Sequence, residues 1–400
     1  MRYVGRSALI VALVAPVLIH LNARSEGAGV TETDLVVNRQ VNNVPTLTDQ
    51  NGVVHIASFF DAHLMNPWGI ASSASSPFWL SDNGAGVSTL HNTTGTPLSL
   101  VVSIPSPGDP LGASGTPTGA VFNVAAGQGA FKISGVNAAG SPTTAPATFL
   151  FATEDGTIVG WNPGVNPPGF NPTKAGTYGI IAVNHSAIPT PSDGAVYKGL
   201  AIAIDGTLGP LLYATNFRAG TVEMFGASFQ AANPTAAFTD DKLPKGYAPF
   251  NIAVLPVNGT PTTFVTYAVQ DDQKHDDVAG QSHGIVDTFD LTGQFGLRFA
   301  QHGQLDSPWG LAVAPSSFGP IAGDILIGNF GNGHINVFDP TTGRFIDKLR
   351  DPDEKAIVID GLWALRVGNG GNGGSPTAVY FTAGPNGEQD GLFGRLQWNP

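Results

Sequence analysis

The densest run of chemically useful side chains in this sequence is QDDQKHDDVAGQSHG, residues 270–284. It gathers Asp271, Asp272, Lys274, His275, Asp276, Asp277 and His283 in a chain only 12% charged. Carboxylates beside imidazoles can hold a cation or move a proton, and His283 with Asp271 is the acid/base pair offered here. A merely solvated loop would show the same charge. The spacing fits no EF-hand, which needs alternating oxygen ligands and a closing Glu. The histidines are scattered and make no i, i+4 helical zinc pair. The chain has no cysteine, which removes disulfides, thiolate metal sites and thiol catalysis. No GxSxG elbow, P-loop or dinucleotide fingerprint is present.

Other polar residues recur at two kinds of place, the opening of a short apolar run and the loop between two runs. Asp82, Glu154, Asp155 and Asp271, with the amides Asn216 and Asn329, are hard oxygen ligands that suit Ca²⁺ or Mg²⁺. Nothing suggests an organic cofactor. Trp68, Asn83, Arg218, Lys274, Trp309, Asp360 and Trp363 could line a substrate site, the tryptophans as stacking walls. Asp, Asn and Gly are also what tight turns require, and a Trp opening a strand often packs in a core.

Those places are set by a repeat. The segments FWLSDNGAGVSTLHN, FLFATEDGTIVGWNP, LLYATNFRAGTVEMFG, TFVTYAVQDDQKHDDVAGQSHGIVDTFD, DILIGNFGNGHINVFDP and AVYFTAGPNGEQDGLFGRLQ each read as two alternating strands around a turn. Each follows another short strand: NPWGIA, PTGAVFNV, YKGLAIAI, APFNIAVL, SPWGLAVA and DGLWALRV. Gly69, Gly119, Gly199, Asn251, Gly310 and Gly361 mark a period of about 50 residues, with one wider gap where the second unit carries an insertion. Outer strands PLSLVVSI, GTYGIIAV, AAFTD, QFGLRFAQ and FIDKL follow. The pattern predicts an all-β, six-bladed β-propeller with four strands per blade. VVHIASFF (53–60) is expected to close the ring by pairing into the C-terminal blade. Inner-strand openings and the loops between strands two and three then share one mouth of the channel.

Residues 1–23 read as a signal peptide, with Arg2 and Arg6 before an apolar run at 8–21. Residues 24–48 read as an extension and 49–400 as a single propeller domain. Lys+Arg is 18 against Asp+Glu 30, a net charge of −12, which disfavours nucleic acid and anionic membrane surfaces. The expectation is a secreted or periplasmic monomer, free of the membrane after signal cleavage.

NPWGIA, FATEDGTIVGWNP, ATNFRAGTVEMF, YAVQDDQKHDDVAG, SPWGLAVAP, GNFGNGHINVFDP and IDGLWALRVGNG, in this order, resemble an uncharacterised family of exported bacterial six-bladed propellers. Some of its members carry a C-terminal sorting anchor, for which this chain shows no signal. More distantly the architecture is similar to NHL-type and gluconolactonase-like propellers. The resemblance implies fold and export but no reaction. Two functions remain open. One is a binding or scaffold module for a small molecule, glycan, peptide or surface protein at the channel mouth. The other is a divalent-metal-dependent hydrolase or lyase acting on a lactone or ester.

Overall fold

Alternating apolar residues bounded by Gly, Asn and Asp turns leave this chain little choice but short antiparallel strands. The computed structural model describes residues 28–232 and 237–400, so the expected signal peptide lies outside the described residues. Sheet I comprises Pro67–Ala71, Phe78–Asp82, Val87–His91 and Pro97–Ser103. Sheet II comprises Pro117–Phe122, Phe149–Thr153, Thr157–Trp161 and Ile180–Asn184. Sheet III has Tyr197–Asp205, Gly209–Asn216 and Thr221–Phe225. Sheet IV has Tyr247–Val257, Thr260–Val269, Ile285–Phe289 and Phe295–Gln301. Sheet V has Pro308–Val313, Ile325–Asn329, Ile335–Phe338 and Phe345–Lys348. Sheet VI runs Leu362–Val367, Ala378–Ala383, Leu392–Asn399, Gly29–Val37, Phe59–Phe60. Sheet VII is Gln40–Val41, Val44–Thr48 and Val54–Ile56. A separate ribbon pairs Lys132–Val136 with Pro142–Pro146.

The propeller fold is as expected, but the expectation of six uniform four-stranded blades is overturned. Among the described residues seven sheets of three to five strands form, plus the two-stranded ribbon. The added sheet comes from residues 40–56, where short runs broken by Asn and Gly hid the strands. It packs on the closing strand Gly29–Val37, and His55 Nδ1 lies 3.3 Å from Asp34. Among the described residues sheet III has three strands, and within the expected AAFTD strand residues 237–238 form a turn. The second unit's insertion includes the ribbon.

The closing strand is also corrected. Gly29–Val37, not VVHIASFF, pairs antiparallel with Leu392–Asn399, from Gly29↔Asn399 to Val37↔Leu392 with a bulge between Asp34 and Val36. Its ends win the place: Val30, Val36 and Val37 are fully buried, each worth about 1.5–3 kcal/mol. Phe59–Phe60 adds only two residues, in parallel, beyond it.

The inner strands of sheets I to VI pack side by side in chain order, and Leu362–Val367 returns to Pro67–Ala71. Their close approach explains the recurring glycines. A Cβ at Gly69 would sit 2.5 Å from the Thr118 carbonyl oxygen, and one at Gly119 2.4 Å from the Leu200 nitrogen. Where Asn251 replaces glycine, its Nδ2 donates to the Trp309 carbonyl of the next inner strand, 2.6 Å.

Each inner strand also slips register against its partner at the same point, as between Pro67 and Ile70, Tyr197 and Leu200, and Leu362 and Leu365. Such a bulge frees a backbone N–H and re-aims a side chain. Second-strand threonines take up the freed donors: Gly199 N donates to Thr215 Oγ1 (2.6 Å), Asn251 N to Thr266 Oγ1 (3.0 Å) and Ala364 N to Thr382 Oγ1 (3.2 Å).

Candidate functional site

The bulges turn one side chain per inner strand toward the axis. Trp68, Lys198, Phe250, Trp309 and Trp363 hold equivalent positions in their sheets. Trp68 stacks on Trp363 with centroids 3.5 Å apart and meets Trp309 edge-on at 6.0 Å. It also reaches Phe250, in a sheet well around the ring, at 6.4 Å. These rings form an aromatic plug across the channel, with Phe217 and Phe330 packed against it. Lys198 Nζ lies 5.0 Å above the Trp68 ring, close enough for a cation–π contact.

A polar layer covers the plug. Lys198, 1% exposed, is paired with Glu154 and lies 3.1 Å from Asp276 Oδ1. Asn83 Nδ2 donates to Glu154 Oε2 at 2.8 Å. Asn66 Nδ2 donates to Glu388 Oε2 at 2.6 Å and lies 3.4 Å from Asn83 Oδ1, while Trp363 Nε1 donates to Asn66 Oδ1 at 2.9 Å. His275 Nδ1 lies 2.9 Å from Asp276. One continuous network thus joins loops of four sheets, carrying Asn83, Glu154, His275–Asp276 and Glu388, to two inner-strand openings. Glu388 is held at φ 68°, a left-handed conformation costly for a side-chain-bearing residue.

The electrostatics follow from burial beside charge. Burial pulls the Lys198 ammonium down, but the Glu154 and Asp276 charges outweigh it and keep it cationic. The His275 hydrogen bond holds Asp276 well below the usual carboxylate range, and His275 is raised in return. Burial lifts Glu388 to about 7, against the Asn66 hydrogen bond and with help from the Glu154 charge. Burial also raises Asp277 to about 6. Glu154, His275 and Asp276 each present a ligand atom within 4.8 Å of the others. The Lys198 ammonium already sits against both carboxylates.

Of the residues expected from sequence, the structure brings together Trp68, Asn83, Glu154, Trp309 and Trp363. The tryptophans form the packed floor rather than open stacking walls, at 1–4% exposure. The expected oxygen-ligand set does not converge. Asp271 Oδ1 accepts the His275 N–H, closing a turn in its own loop. Asp155 Oδ2 accepts from Thr116 N and Oγ1. Asn216 spends its amide on Glu223 Oε1 and its oxygen on the Val196 and Ala219 N–H groups. Asn329 donates to the Gln304 carbonyl and Asn332. Asp82 is fully buried with Oδ2 on the Thr89 N–H, and desolvation raises it strongly.

The expected pair of His283 and Asp271 is not formed either. His283 Nδ1 sits 2.8 Å from the Val278 carbonyl, within its own loop. Arg218 donates to the Gly194 carbonyl, and Asp360 accepts from Gln50 and the Asn386 N–H. Lys274 is exposed at φ 53°. Lys198, Asn66 and Glu388 lie in strand openings and hairpin loops expected to share the mouth, but no role was expected of them from sequence. The available signal was a lone cation in the apolar strand YKGLAIAI.

No family model matches the chain. It is 27% identical over 347 residues to an uncharacterised protein of Acanthamoeba polyphaga mimivirus, covering 85% of this chain and 76% of the viral one. A second protein of that virus is 29% identical, with 85% and 82% covered. A third is 30% identical over 243 residues, 60% of this chain and 41% of its own length. These relatives are viral, which corrects the expectation of a bacterial family. Among solved structures the chain is similar to a streptogramin B lyase (TM-score 0.46, 11% identity, 94% of this chain and 100% of that one). It is also similar to a glucose dehydrogenase (TM-score 0.48, 12% identity, 83% and 96%) and to virginiamycin B lyase from Staphylococcus aureus (TM-score 0.45, 11% identity, 92% and 99%).

Proposed function

We propose that this propeller is a binding module whose channel mouth recognises a hydroxyl-rich ligand, a glycan. The observation that carries the reading is the Asn66–Asn83–Glu154–Lys198–Asp276 network with Glu388, in which donors and acceptors alternate. Hydroxyls both donate and accept, so such a surface exchanges its water for sugar oxygens without leaving a buried group unpaired. Phe330, half-buried and stacked at 4.0 Å on Trp363, adds an apolar face for sugar C–H groups. The test is a glycan-array screen of the purified chain, followed by calorimetry of each hit. Asn83→Ala and Glu388→Gln are expected to weaken binding about tenfold or more each. Absence of any glycan hit, or hits indifferent to both substitutions, refutes the reading.

The second reading, a divalent-metal-dependent hydrolase or lyase, draws on the Glu154, His275 and Asp276 ligand atoms and on Glu388 as a proton-transfer group near neutrality. Lys198 weighs against it, because its ammonium supplies the positive charge that a metal would otherwise bring. Elemental analysis of the chain purified without chelator separates the two. One bound divalent ion per chain, lost in Glu154→Gln, would favour the enzyme.

A further inference from the structure

Below the aromatic plug the channel widens into a cavity of about 450 Å³, within the range of small-molecule sites. Its walls are the distal halves of the inner strands, where apolar side chains such as Ile70, Val121, Leu200, Ile252, Leu311 and Leu365 share the surface about equally with polar atoms. Trp309 roofs it, and Ser72 and Asn251 add polar atoms. Arg366 is the single charged residue in this lining.

That arginine has no carboxylate partner among the described residues. Nε donates to Ser72 Oγ at 3.1 Å, Nη2 to the Ser72 carbonyl at 3.1 Å, and Nη1 reaches the Ile70 carbonyl at 3.5 Å. A guanidinium carries five N–H donors, so one on each terminal nitrogen is left over. Neutral oxygens orient the group without compensating its charge, and burial lowers its pKa to about 10. A half-buried cation without a counter-charge is a cost that a fold alone does not explain.

We infer that the lower channel binds a small amphipathic carboxylate, its headgroup on Arg366 and its hydrocarbon tail along the inner-strand walls. The two free N–H groups match the two oxygens of a carboxylate, the geometry in which arginine binds most strongly. The apolar side chains along the inner strands reward a hydrocarbon tail. This site is separate from the mouth and does not depend on its reading.

The experiment titrates decanoate, decanol and decylamine into the purified full chain, followed by intrinsic tryptophan fluorescence and calorimetry. Decanoate is expected to bind once per chain, about tenfold or more tighter than decanol, with decylamine weakest. Arg366→Gln should remove the preference for decanoate over decanol, while Lys132→Gln, at an exposed lysine of the ribbon, leaves it unchanged. Equal affinity for decanoate and decanol, or a preference that survives Arg366→Gln, overturns the inference. Should Arg366→Gln fail to fold, a crystal of the wild-type chain soaked with bromine-labelled decanoate decides. Bromine in the lower cavity with the carboxylate about 3 Å from Arg366 supports the site, and bromine elsewhere or absent overturns it.

Discussion

Lys198 ties the two layers of the mouth together, since it faces Trp68 on one side and Glu154 with Asp276 on the other. Removing it leaves a mostly buried carboxylate uncompensated. Lys198→Met should cost about 3 kcal/mol in urea unfolding, and adding Glu154→Gln should recover part of it. A double variant no more stable than the single one would show that packing, not charge, sets the cost. Glu388 gives the opposite sign. Its folded-state pKa is raised to about 7 from an ordinary 4.5, so the folded chain keeps a proton that the unfolded chain releases. That contribution makes the protein less stable as pH rises from about 4.5 through 7, by up to about 3 kcal/mol. Comparing urea midpoints at pH 5 and pH 8, Glu388→Gln should flatten the slope. An unchanged slope would place Glu388 in water. At this scale the sequence showed which side chains line one mouth. It did not show that Asp155, Asn216, Asp271 and Asn329 would be consumed by their own turns. An isolated Asp or Asn reads the same whether its oxygen meets a ligand or a backbone N–H.

The element that makes the site is the bulged inner strand. Its register slip and its glycine serve one purpose, which is to bring neighbouring backbones close while turning one side chain inward. Gly119→Ala would drive a Cβ to 2.4 Å from the Leu200 nitrogen, with backbone rather than a flexible side chain to give way. It should destabilise by about 1–3 kcal/mol, read from the shift in thermal midpoint. Thr215→Val would orphan the Gly199 N–H and should cost about 1–3 kcal/mol with little change in volume. A neutral result there would mean that water takes the hydroxyl's place. The recurring glycines were visible in the sequence as a period. The bulge that requires them was not, because a slip of pairing leaves no mark on a strand's own alternation.

At the scale of the whole molecule, the ring is held shut by a strand from near the other end of the chain. Val30, Val36 and Val37 are buried there, and Leu392–Asn399 would otherwise be an edge. Deleting residues 28–37 should expose that edge and produce aggregation on size exclusion with increased dye binding to apolar surface. A monodisperse, cooperatively unfolding deletion variant would show that sheet VI closes without it. The sequence by itself determined the propeller class and the recurring antiparallel hairpins, because period-two alternation and turn chemistry are local and additive along the chain. Only the tertiary structure decided which segment closes the ring, that residues 40–56 form a further sheet, and that the tryptophans plug the channel. The pairing of Lys198 with Glu154 and the placement of Arg366 in the lower channel without a carboxylate partner were likewise settled there. Each depends on residues far apart in sequence competing for the same space and charge, which no local pattern records.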